Sequence, residues 1–587
     1  MVDIYELFTE ITKITCGKTI SGDFTDENKQ KLREEDWKTY ELVKKICTLV
    51  VGYHDDSIDF QPGYIWEGKR TFAIRDMTDE DYLMLEKLDL SRLPAVLSYR
   101  IAEVLWYKKQ DYKMAMKSCE YAEELFDESF NANRWTNSVG YLRRAITLAA
   151  KLGKKDEYQR LCDKCLDYAE TVDPEVGCYA IIVLLRILLE QKYDDKRNRI
   201  QSRLDAIIFV STDVDKKTKA YELKIQFLNK DRAALSLVKK DFANMLIDDA
   251  DKKETNNVRD LFIAEKNLMK AVQLLQSIGE KELVQKTKHK LIAVQSEIPK
   301  NMAVIKTKKD ASETMQLISK LFAGLSVQEY VIRLAQCVSF YKKEDLKNNV
   351  LNSKTDFVSK LFGAAYKDSK GQTIIELPPL DIKDTEKDEH LIELYMFSEA
   401  RMQEEFLGSN HLKWIIQILN KEYSFTEEDL KFLVENNPII PTGRERIILK
   451  AIYEGLKGNI YLALHVLAPQ LENIFRNIAE SVGGIVITLE DDGTSQKKTL
   501  SSIFDLPELL ECYDNDILFL FRGLLNEKAG SNIRNEIAHG VMSEETARSG
   551  TSVFLLCATI KLLSYTSNQA LEIYNQLAGK GNNTTAN

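Results

Sequence analysis

Long apolar runs and helix-breaking residues are scarce in this 587-residue sequence. No run approaches the roughly 18 consecutive apolar residues that suggest a membrane-spanning helix. The first residues, Met1–Phe8, place acidic side chains where a secretory signal peptide would be basic. Proline (10 residues) and glycine (25 residues) are too few to interrupt helices often, and leucine, alanine, lysine and glutamate are abundant. We therefore expect an all-α protein that is not exported and has no membrane partner.

The sequence also lacks an ordered cysteine framework. Its nine cysteines are an odd, scattered set, which predicts a reducing, cytoplasmic environment. Cys162 and Cys165 form one CxxC pair, but a zinc site needs two further ligands at a recognisable spacing, and none is nearby. The pair lies in a helical pattern, which favours two ordinary helix cysteines. We expect neither a metal nor another cofactor.

A strongly basic surface is absent as well. The formal net charge is -10, which argues against a general nucleic-acid-binding coat, so any RNA contact must be made by a small positive patch. A composition of 44% hydrophobic and 29% charged residues is that of a soluble globular protein. The length exceeds what one hydrophobic core supports, so two to four domains are expected.

Four regions follow from the pattern of helices and turns. Residues 1–91 predict helices around a polar stretch at 52–71, which is a loop or a short hairpin. Residues 92–300 predict a degenerate tetratricopeptide-like array of helical hairpins, whose stacked surface either binds a protein partner or serves only as a scaffold. Residues 301–440 predict a helical connector with an ordered loop near 366–389, and residues 441–587 a final helical domain.

Helices in the array are predicted from apolar residues at spacings of three and four. Short polar turns separate them. The predicted helices are Leu93–Lys109, Lys113–Phe126, Arg134–Leu152, Lys155–Thr171 and Val176–Gln191.

The final domain has its own start and stop signals. Thr442 and Glu445 fit a capping box that opens a helix ending at Leu456. A long helix over Ile460–Val482 contains Pro469, which should kink or break it. A small β-hairpin is predicted over 485–500, with its turn at Asp491–Gly493, and it is the one strong strand signal in the chain.

The segment Ser531–Gly540 carries the residues with the most evident chemistry. Ser531 or Asn532 can cap a short helix, and Gly540 can end it in the left-handed conformation. Asn535 and His539 stand four apart and share a helix face. Arg534 and His539 stand five apart, about 140° around the axis. They converge only if the arginine side chain wraps around the helix or a second copy of the helix faces the first.

Arg534, Asn535 and His539 suit phosphodiester cleavage in RNA. The 2′-hydroxyl of RNA is the nucleophile, so the protein must supply proton transfer and positive charge. His539 can transfer the proton, the planar fork of Arg534 can clamp phosphate oxygens, and Asn535 can position His539 or the ribose. One histidine cannot easily serve as both acid and base, which favours a site shared by two protomers.

Three further residues are weaker RNA-binding candidates. Asn532 adjoins the short helix, and Arg476 and Asn477 lie on the long helix and could face it. The alternative for Arg476 is an intrahelical ion pair with Glu472, four residues earlier.

Arg-Asn, three residues and then His resembles the signature of the HEPN superfamily. The stretches 437–446, 462–472, 491–493 and 532–540 resemble, in this order, the HEPN-like domain-of-unknown-function family 4209. The resemblance implies a HEPN-like helical bundle, a homodimer with facing Arg–His motifs, and metal-independent endoribonuclease activity that leaves 2′,3′-cyclic phosphate ends. Similarity to bacterial toxins and phage-defence effectors implies that the array holds the nuclease inactive until a trigger arrives.

A second class of function uses the same residues without catalysis. The helical array would then be the working part, and the C-terminal domain would dimerise or bind a nucleotide or RNA. Arg534 and His539 would cap carbonyls and pair with neighbouring acids such as Glu536.

Overall fold

The structure is a computed structural model, and helices account for most of the chain that it describes. The described residues are 2–12, 24–54, 57–66, 69–131, 135–136, 138–193, 195–228, 231–302, 311–352, 363–368, 370–380, 389–490 and 493–583. The prediction of an all-α protein is confirmed. No helix within these ranges combines the length and the apolar character needed to cross a membrane.

The chain divides into two compact units, Met1–Glu297 and Ile298–Asn587. In the second unit one continuous hydrophobic core takes residues from Ile318 to Leu577, on both sides of position 440. The boundaries at 91/92, 300/301 and 440/441 stay predictions.

The first unit is a succession of helices with two small hairpins near its start. Its helices are Ile4–Thr12, Asp26–Gln30, Trp37–Cys47, Asp79–Glu86, Ala95–Lys109, Tyr112–Ser129, Ser138–Lys151, Lys155–Thr171, Cys178–Glu190, Arg197–Val210, Val214–Phe227, Arg232–Asp251, Val258–Ser277 and Lys281–Asn301. Short 3-10 segments lie at Glu34–Asp36, Ile74–Asp76 and Leu90–Arg92.

From Ala95 to Ser277, helices that follow one another along the chain pack against each other, as hairpins do. All five array helices predicted above are present, with ends that differ by at most a few residues, although Arg134, the predicted start of the third, lies outside the described residues. Cys162 and Cys165 lie on one of them with both side chains buried, and burial raises the pKa of the Cys162 thiol to about 12. They behave as small core side chains.

A buried ion pair lies inside the array. Arg144 donates to both carboxylate oxygens of Glu103, at 2.8 and 2.9 Å, and the Ser118 hydroxyl donates to the same carboxylate at 2.5 Å. The side chains of Arg144 and Glu103 are 5% and 2% exposed. The pair therefore ties three successive helices together in a region without solvent.

The second unit contains the remaining helices. They are Ser312–Phe322, Val327–Gln336, Lys343–Asn352, Glu389–Leu407, Lys413–Glu422, Glu445–Leu456, Ile460–Ser481, Leu500–Phe504, Pro507–Cys512, Asn515–Leu525, Ile533–Ala538, Glu544–Ala547, Gly550–Thr566 and Asn568–Asn583, with a 3-10 segment at Glu428–Leu433. A π-helical turn, Gly408–Leu412, joins two of them.

In the described ranges four antiparallel strand pairs interrupt the helices, whereas the sequence firmly predicts one and leaves 52–71 open between a loop and a short hairpin. They pair Val50–His54 with Ser57–Gln61, Ile65–Trp66 with Lys69–Arg70, Ala364–Lys367 with Thr373–Leu377, and Ile487–Leu489 with Ser495–Lys497. The last confirms the predicted hairpin, although positions 491–492 of its turn lie outside the described residues. The loop predicted near 366–389 is partly a hairpin, and its residues 369 and 381–388 also lie outside them.

A predicted cap at Thr442 is wrong, and so is the predicted break at Pro469, whereas the alternative of a kink there stays a prediction. Thr442 does not cap a helix, because Gly443 adopts a left-handed turn (φ 79°) and the helix begins only at Glu445. Pro469 does not split the long helix, which runs unbroken from Ile460 to Ser481. Buried apolar residues on both sides of the proline hold the two halves against one core, which outweighs the lost hydrogen bond.

Candidate active site around Arg534

The short helix Ile533–Ala538 is held in place by close backbone contact with the helix before it. A side chain at Gly530 would overlap the Gly523 carbonyl, so only glycine allows this approach. The backbone N–H groups of Ser531 and Asn532 donate to the same Gly523 carbonyl, at 2.9 and 3.3 Å. Ile533 is buried in the core below. These contacts fix the direction in which the next residue, Arg534, extends.

Of the two predicted ends of this helix, the C-terminal stop is present and the N-terminal cap is not. The expected cap at Ser531 or Asn532 is wrong, because Asn532 takes a left-handed conformation (φ 51°) and its side chain caps no backbone N–H. The Ser531 hydroxyl instead donates to Glu404, at 2.7 Å. Gly540 ends the helix with φ 66°, which confirms the predicted stop.

Arg534 forms an ion pair with Glu472, which no sequence pattern indicated. Its Nε and Nη2 donate to Glu472 Oε2 at 2.9 and 2.8 Å. Arg476 donates to the other oxygen of the same carboxylate at 3.0 Å. Two guanidinium groups therefore share one carboxylate, and the cluster carries one net positive charge. Arg534 is 28% exposed, so an anion in solvent can reach its guanidinium.

Asn535 links Arg534 to the turn before the helix. Its side-chain oxygen accepts from Arg534 Nη1 at 2.9 Å. Its Nδ2 donates to the Asn532 side chain at 2.7 Å and to the Asn526 carbonyl at 3.3 Å. Asn532 thus positions Asn535, and Asn535 positions the arginine.

His539 lies one turn after Asn535, at the end of the helix, and is exposed. Its backbone N–H donates to the Asn535 carbonyl at 3.0 Å. Within the described ranges its imidazole ring has no hydrogen-bond or ion-pair partner, and nothing joins it to Arg534. The structure therefore brings Arg534 and Asn535 into contact and leaves the ring of His539 accessible to a ligand or a second chain.

The remaining two candidates are engaged in structural contacts. Arg476 is buried and, besides its pair with Glu472, donates to the Lys498 carbonyl at 3.0 Å. Asn477 donates to the carbonyls of Pro438 and Ile439, at 3.4 and 3.2 Å. The intrahelical ion pair of Arg476 with Glu472, the alternative predicted from the sequence, is therefore present. Arg476 contributes to the site through its positive charge, which lies at the same carboxylate as that of Arg534.

A buried carboxyl group supports the segment from below. Glu404 is 1% exposed and accepts the hydrogen bond from Ser531. Removal from water raises the pKa of this carboxyl to about 7, and the Ser531 hydrogen bond and the nearby Arg401 only partly oppose the increase. The half-buried Glu536 on the short helix also has a raised pKa, again because of burial.

The raised pKa of Glu404 makes stability depend on pH. A folded pKa above the ordinary value means that the native state binds the proton more tightly, so stability falls as the pH rises from about 4.5 to about 7. At about 1.4 kcal/mol per pKa unit, the penalty for the buried charge reaches about 3 kcal/mol above pH 7. Glu404→Gln removes this penalty. Urea unfolding should show that the difference in the free energy of unfolding, variant minus wild type, is about 3 kcal/mol larger at pH 8 than at pH 4.5.

The matched control is Glu544→Gln, at a position whose side chain is 72% exposed. If the difference between Glu404→Gln and the wild type is the same at both pH values, the Glu404 carboxylate is not desolvated as described.

The titratable side chains that the structure describes in this region form no evident metal site. Among the described residues, no group of three or more His, Cys, Asp and Glu side chains is placed to hold a metal ion. The site is thus a cluster of guanidinium, amide and imidazole groups around one carboxylate.

Comparison with known families gives a match at the other end of the chain. A family model described as a domain of unknown function (DUF7380) matches residues 1–160. A comparison with curated proteins gives no match. The matched family has another number than family 4209, which residues 437–540 resemble, and it matches the opposite end of the chain. What is confirmed is only that the chain contains a domain of unknown function. The HEPN resemblance stays a prediction.

Proposed function

We propose that this protein is a metal-independent endoribonuclease of HEPN type, with Arg534, Asn535 and His539 as its catalytic residues. The observation that carries the proposal is the short helix itself. It presents an accessible guanidinium held by an asparagine, and an exposed imidazole follows one turn later. The cluster is positive in a chain whose net charge is -10, so an anionic substrate is attracted here and not to the surface in general.

The reaction needs only groups that RNA and two copies of this helix supply. The 2′-hydroxyl loses its proton and its oxygen attacks the phosphorus. The bond from phosphorus to the 5′-oxygen then breaks, and the leaving 5′-oxygen takes up a proton. His539 transfers a proton and Arg534 stabilises the charge on the phosphorane. Arginine carries more N–H donors than the contacts with Glu472 and Asn535 use, so phosphate oxygens can bind without displacing both. The products are a 2′,3′-cyclic phosphate and a 5′-hydroxyl.

A second copy of the chain completes the site. The exposed ring of His539 does not contact Arg534 within one protomer. One imidazole also cannot easily act both as the base for the 2′-hydroxyl and as the acid for the 5′-oxygen. Two facing helices supply an acid and a base. We therefore propose a homodimer that forms through the C-terminal domain. The family resemblance suggests that the protein is a toxin or phage-defence effector and that the helical array regulates its activity.

The test uses the full-length protein, a chelator and RNA labelled at its 5′ end. Cleavage with chelator present, and products with 2′,3′-cyclic phosphate ends, is the expected result. Cleavage that requires added Mg²⁺, or products with 3′-hydroxyl ends, contradicts the proposed chemistry.

Glu472 should control how strongly the site binds RNA. Glu472→Gln removes one negative charge and raises the net charge of the cluster from one to two, so RNA should bind more tightly, by about threefold to tenfold. The variant is made in a His539→Ala background so that no cleavage interferes. Fluorescence anisotropy with labelled RNA at several salt concentrations gives the affinity, and the salt dependence should steepen.

The control for this change is Glu544→Gln, which alters an exposed glutamate paired with Arg548. Unchanged or weaker binding by the Glu472 variant means that no phosphate lies near the cluster.

The engagement of Arg534 by Glu472 also favours a second function. An arginine already paired with a carboxylate can act only as a structural link, with the helical array binding a protein partner and the last domain dimerising or binding a nucleotide or RNA. Under this alternative Arg534→Ala and His539→Ala leave RNA intact and change only stability or assembly, which analytical ultracentrifugation and thermal unfolding measure.

A further inference from the structure

A lysine lies within the buried helix Gly550–Thr566 of the second unit. Its neighbours along the helix are apolar core residues, and Lys561 itself is only 8% exposed. Its ammonium donates to the Val338 carbonyl, and it lies over the rings of Phe340 and Tyr565 at 4.6 and 5.5 Å. An ammonium group removed from water costs free energy unless an opposite charge compensates for it.

No carboxylate supplies that compensation in the described parts of the chain. Lys561 forms no ion pair there, and the groups that bind it are an uncharged carbonyl and two aromatic rings. Burial lowers the pKa of the Lys561 ammonium from its ordinary range, and the nearby Cys337 thiol only partly opposes this. An ammonium group has three N–H donors, and the Val338 carbonyl accepts from one. The lysine can therefore still bind an anion.

A cavity of about 440 Å³ adjoins this lysine. Gln336, Ser564 and Lys561 supply its polar groups, and Tyr565 and Tyr574, which are 48% and 43% exposed, border it towards solvent. The rest of the lining is Ile332, Ala335, Ala570 and Leu571. A cavity of this size that combines an apolar lining with a few polar groups is typical of small-molecule sites.

We propose that this cavity binds a small organic anion with an aromatic or aliphatic body, whose carboxylate or other acidic group pairs with Lys561. The apolar lining takes the body and the tyrosine rings close over it. The ligand supplies the negative charge that the described residues around Lys561 lack. The cavity shares no lining residue with the cluster around Arg534, and the proposal does not depend on the nuclease activity.

The probe is the aromatic sulfonate 8-anilinonaphthalene-1-sulfonate, compared with the uncharged N-phenyl-1-naphthylamine. Both should bind the wild-type protein with increased fluorescence. Lys561→Met should weaken binding of the sulfonate by about tenfold or more and leave the uncharged probe nearly unaffected, because only the charged contact is lost. Lys457→Met is the matched control, since Lys457 also lies over an aromatic ring, that of Phe425, at 3.7 Å. Leu571→Trp, which fills the cavity, should weaken both probes.

A competition experiment tests the wild-type protein without any variant. 1-Naphthoate should displace the bound sulfonate at a concentration at least about tenfold lower than the uncharged 1-naphthamide needs. Equal competition by the acid and the amide overturns the proposal, and so does full sulfonate binding by a folded Lys561→Met protein. Loss of both probes from the Lys561 variant together with loss of its near-ultraviolet circular dichroism signals unfolding, and the competition result then decides.

Discussion

Replacement of His539 by alanine is expected to reduce RNA cleavage by about 100- to 10,000-fold, the usual contribution of one group that transfers protons in a transition state. The ring is exposed and holds no partner among the described residues, so its removal should leave the fold and the assembly unchanged. The measurement is the single-turnover rate on labelled RNA with a chelator present. Thermal unfolding and sedimentation of the same preparation test whether the protein is otherwise intact.

Matched variants separate this loss from a general effect. His289→Ala removes another exposed helix histidine, and Arg548→Ala removes an arginine that is 72% exposed. Both should cleave RNA at the wild-type rate, whereas Arg534→Ala should lose activity as His539→Ala does. A His539→Ala protein that retains its rate within about threefold contradicts the assignment of the proton transfer to this residue.

Mixing active and inactive chains tests whether the site is shared between protomers. In a mixed dimer of wild-type and His539→Ala chains, only one of the two facing imidazoles is present. The proposed reaction uses one imidazole as the acid and the other as the base, so an excess of His539→Ala chains should suppress the activity of the wild-type protein. If each protomer acts alone, the added His539→Ala chains leave the wild-type activity unchanged.

Local patterns were sufficient to predict most of the helices. The array helix Lys155–Thr171 was predicted with its observed ends, because its apolar residues recur at helical spacing and Gly153 stops the helix before it. The stop at Gly540 was equally local, since a left-handed residue after a short helix is a property of the glycine itself. Signals of this kind depend on residues within one or two turns of each other.

The caps and hairpins show where such local evidence fails. Thr442 has the right residue type for a cap, but Gly443 and Asn532 both adopt left-handed conformations that redirect the chain. The hairpin Ala364–Lys367 with Thr373–Leu377 was interpreted as a loop, although Leu377 packs in the core with Tyr395 and Phe397. Burial against a helix later in the chain stabilises these strands, and short propensity patterns do not contain that information.

The most important contact of the candidate site could not be found from the sequence. Glu472 lies 62 residues before Arg534, and the pattern offered it only Arg476, four residues away on the same helix. Helical spacing identifies neighbours on one helix, whereas the pairing with Arg534 depends on how two helices pack. The sequence therefore predicts the side chains that can take part in catalysis, Arg534, Asn535 and His539. It does not predict Glu472, whose carboxylate sets the charge around them.

The buried pair in the array should show the largest single effect on stability. Glu103→Ala leaves the guanidinium of Arg144 without its carboxylate in a region that water does not reach, and removal of one member of a buried pair costs about 3–5 kcal/mol. The Ser118 hydroxyl also loses its acceptor. Chemical denaturation followed by circular dichroism should show the free energy of unfolding of the first unit reduced by this amount.

Two comparisons determine whether burial is the cause. Glu190→Ala removes the partner of the adjacent Arg143 in a pair whose side chains are 40% and 42% exposed, and it should cost less than about 1 kcal/mol because water solvates the remaining charge. Changing Glu103 and Arg144 together to leucine and methionine should recover much of the lost stability, because neither charge of the pair then stays in the core. A double variant as unstable as Glu103→Ala, or a Glu103→Ala protein as stable as Glu190→Ala, means that desolvation of Arg144 does not dominate. The pair would then contribute mainly through the packing of the helices that it joins.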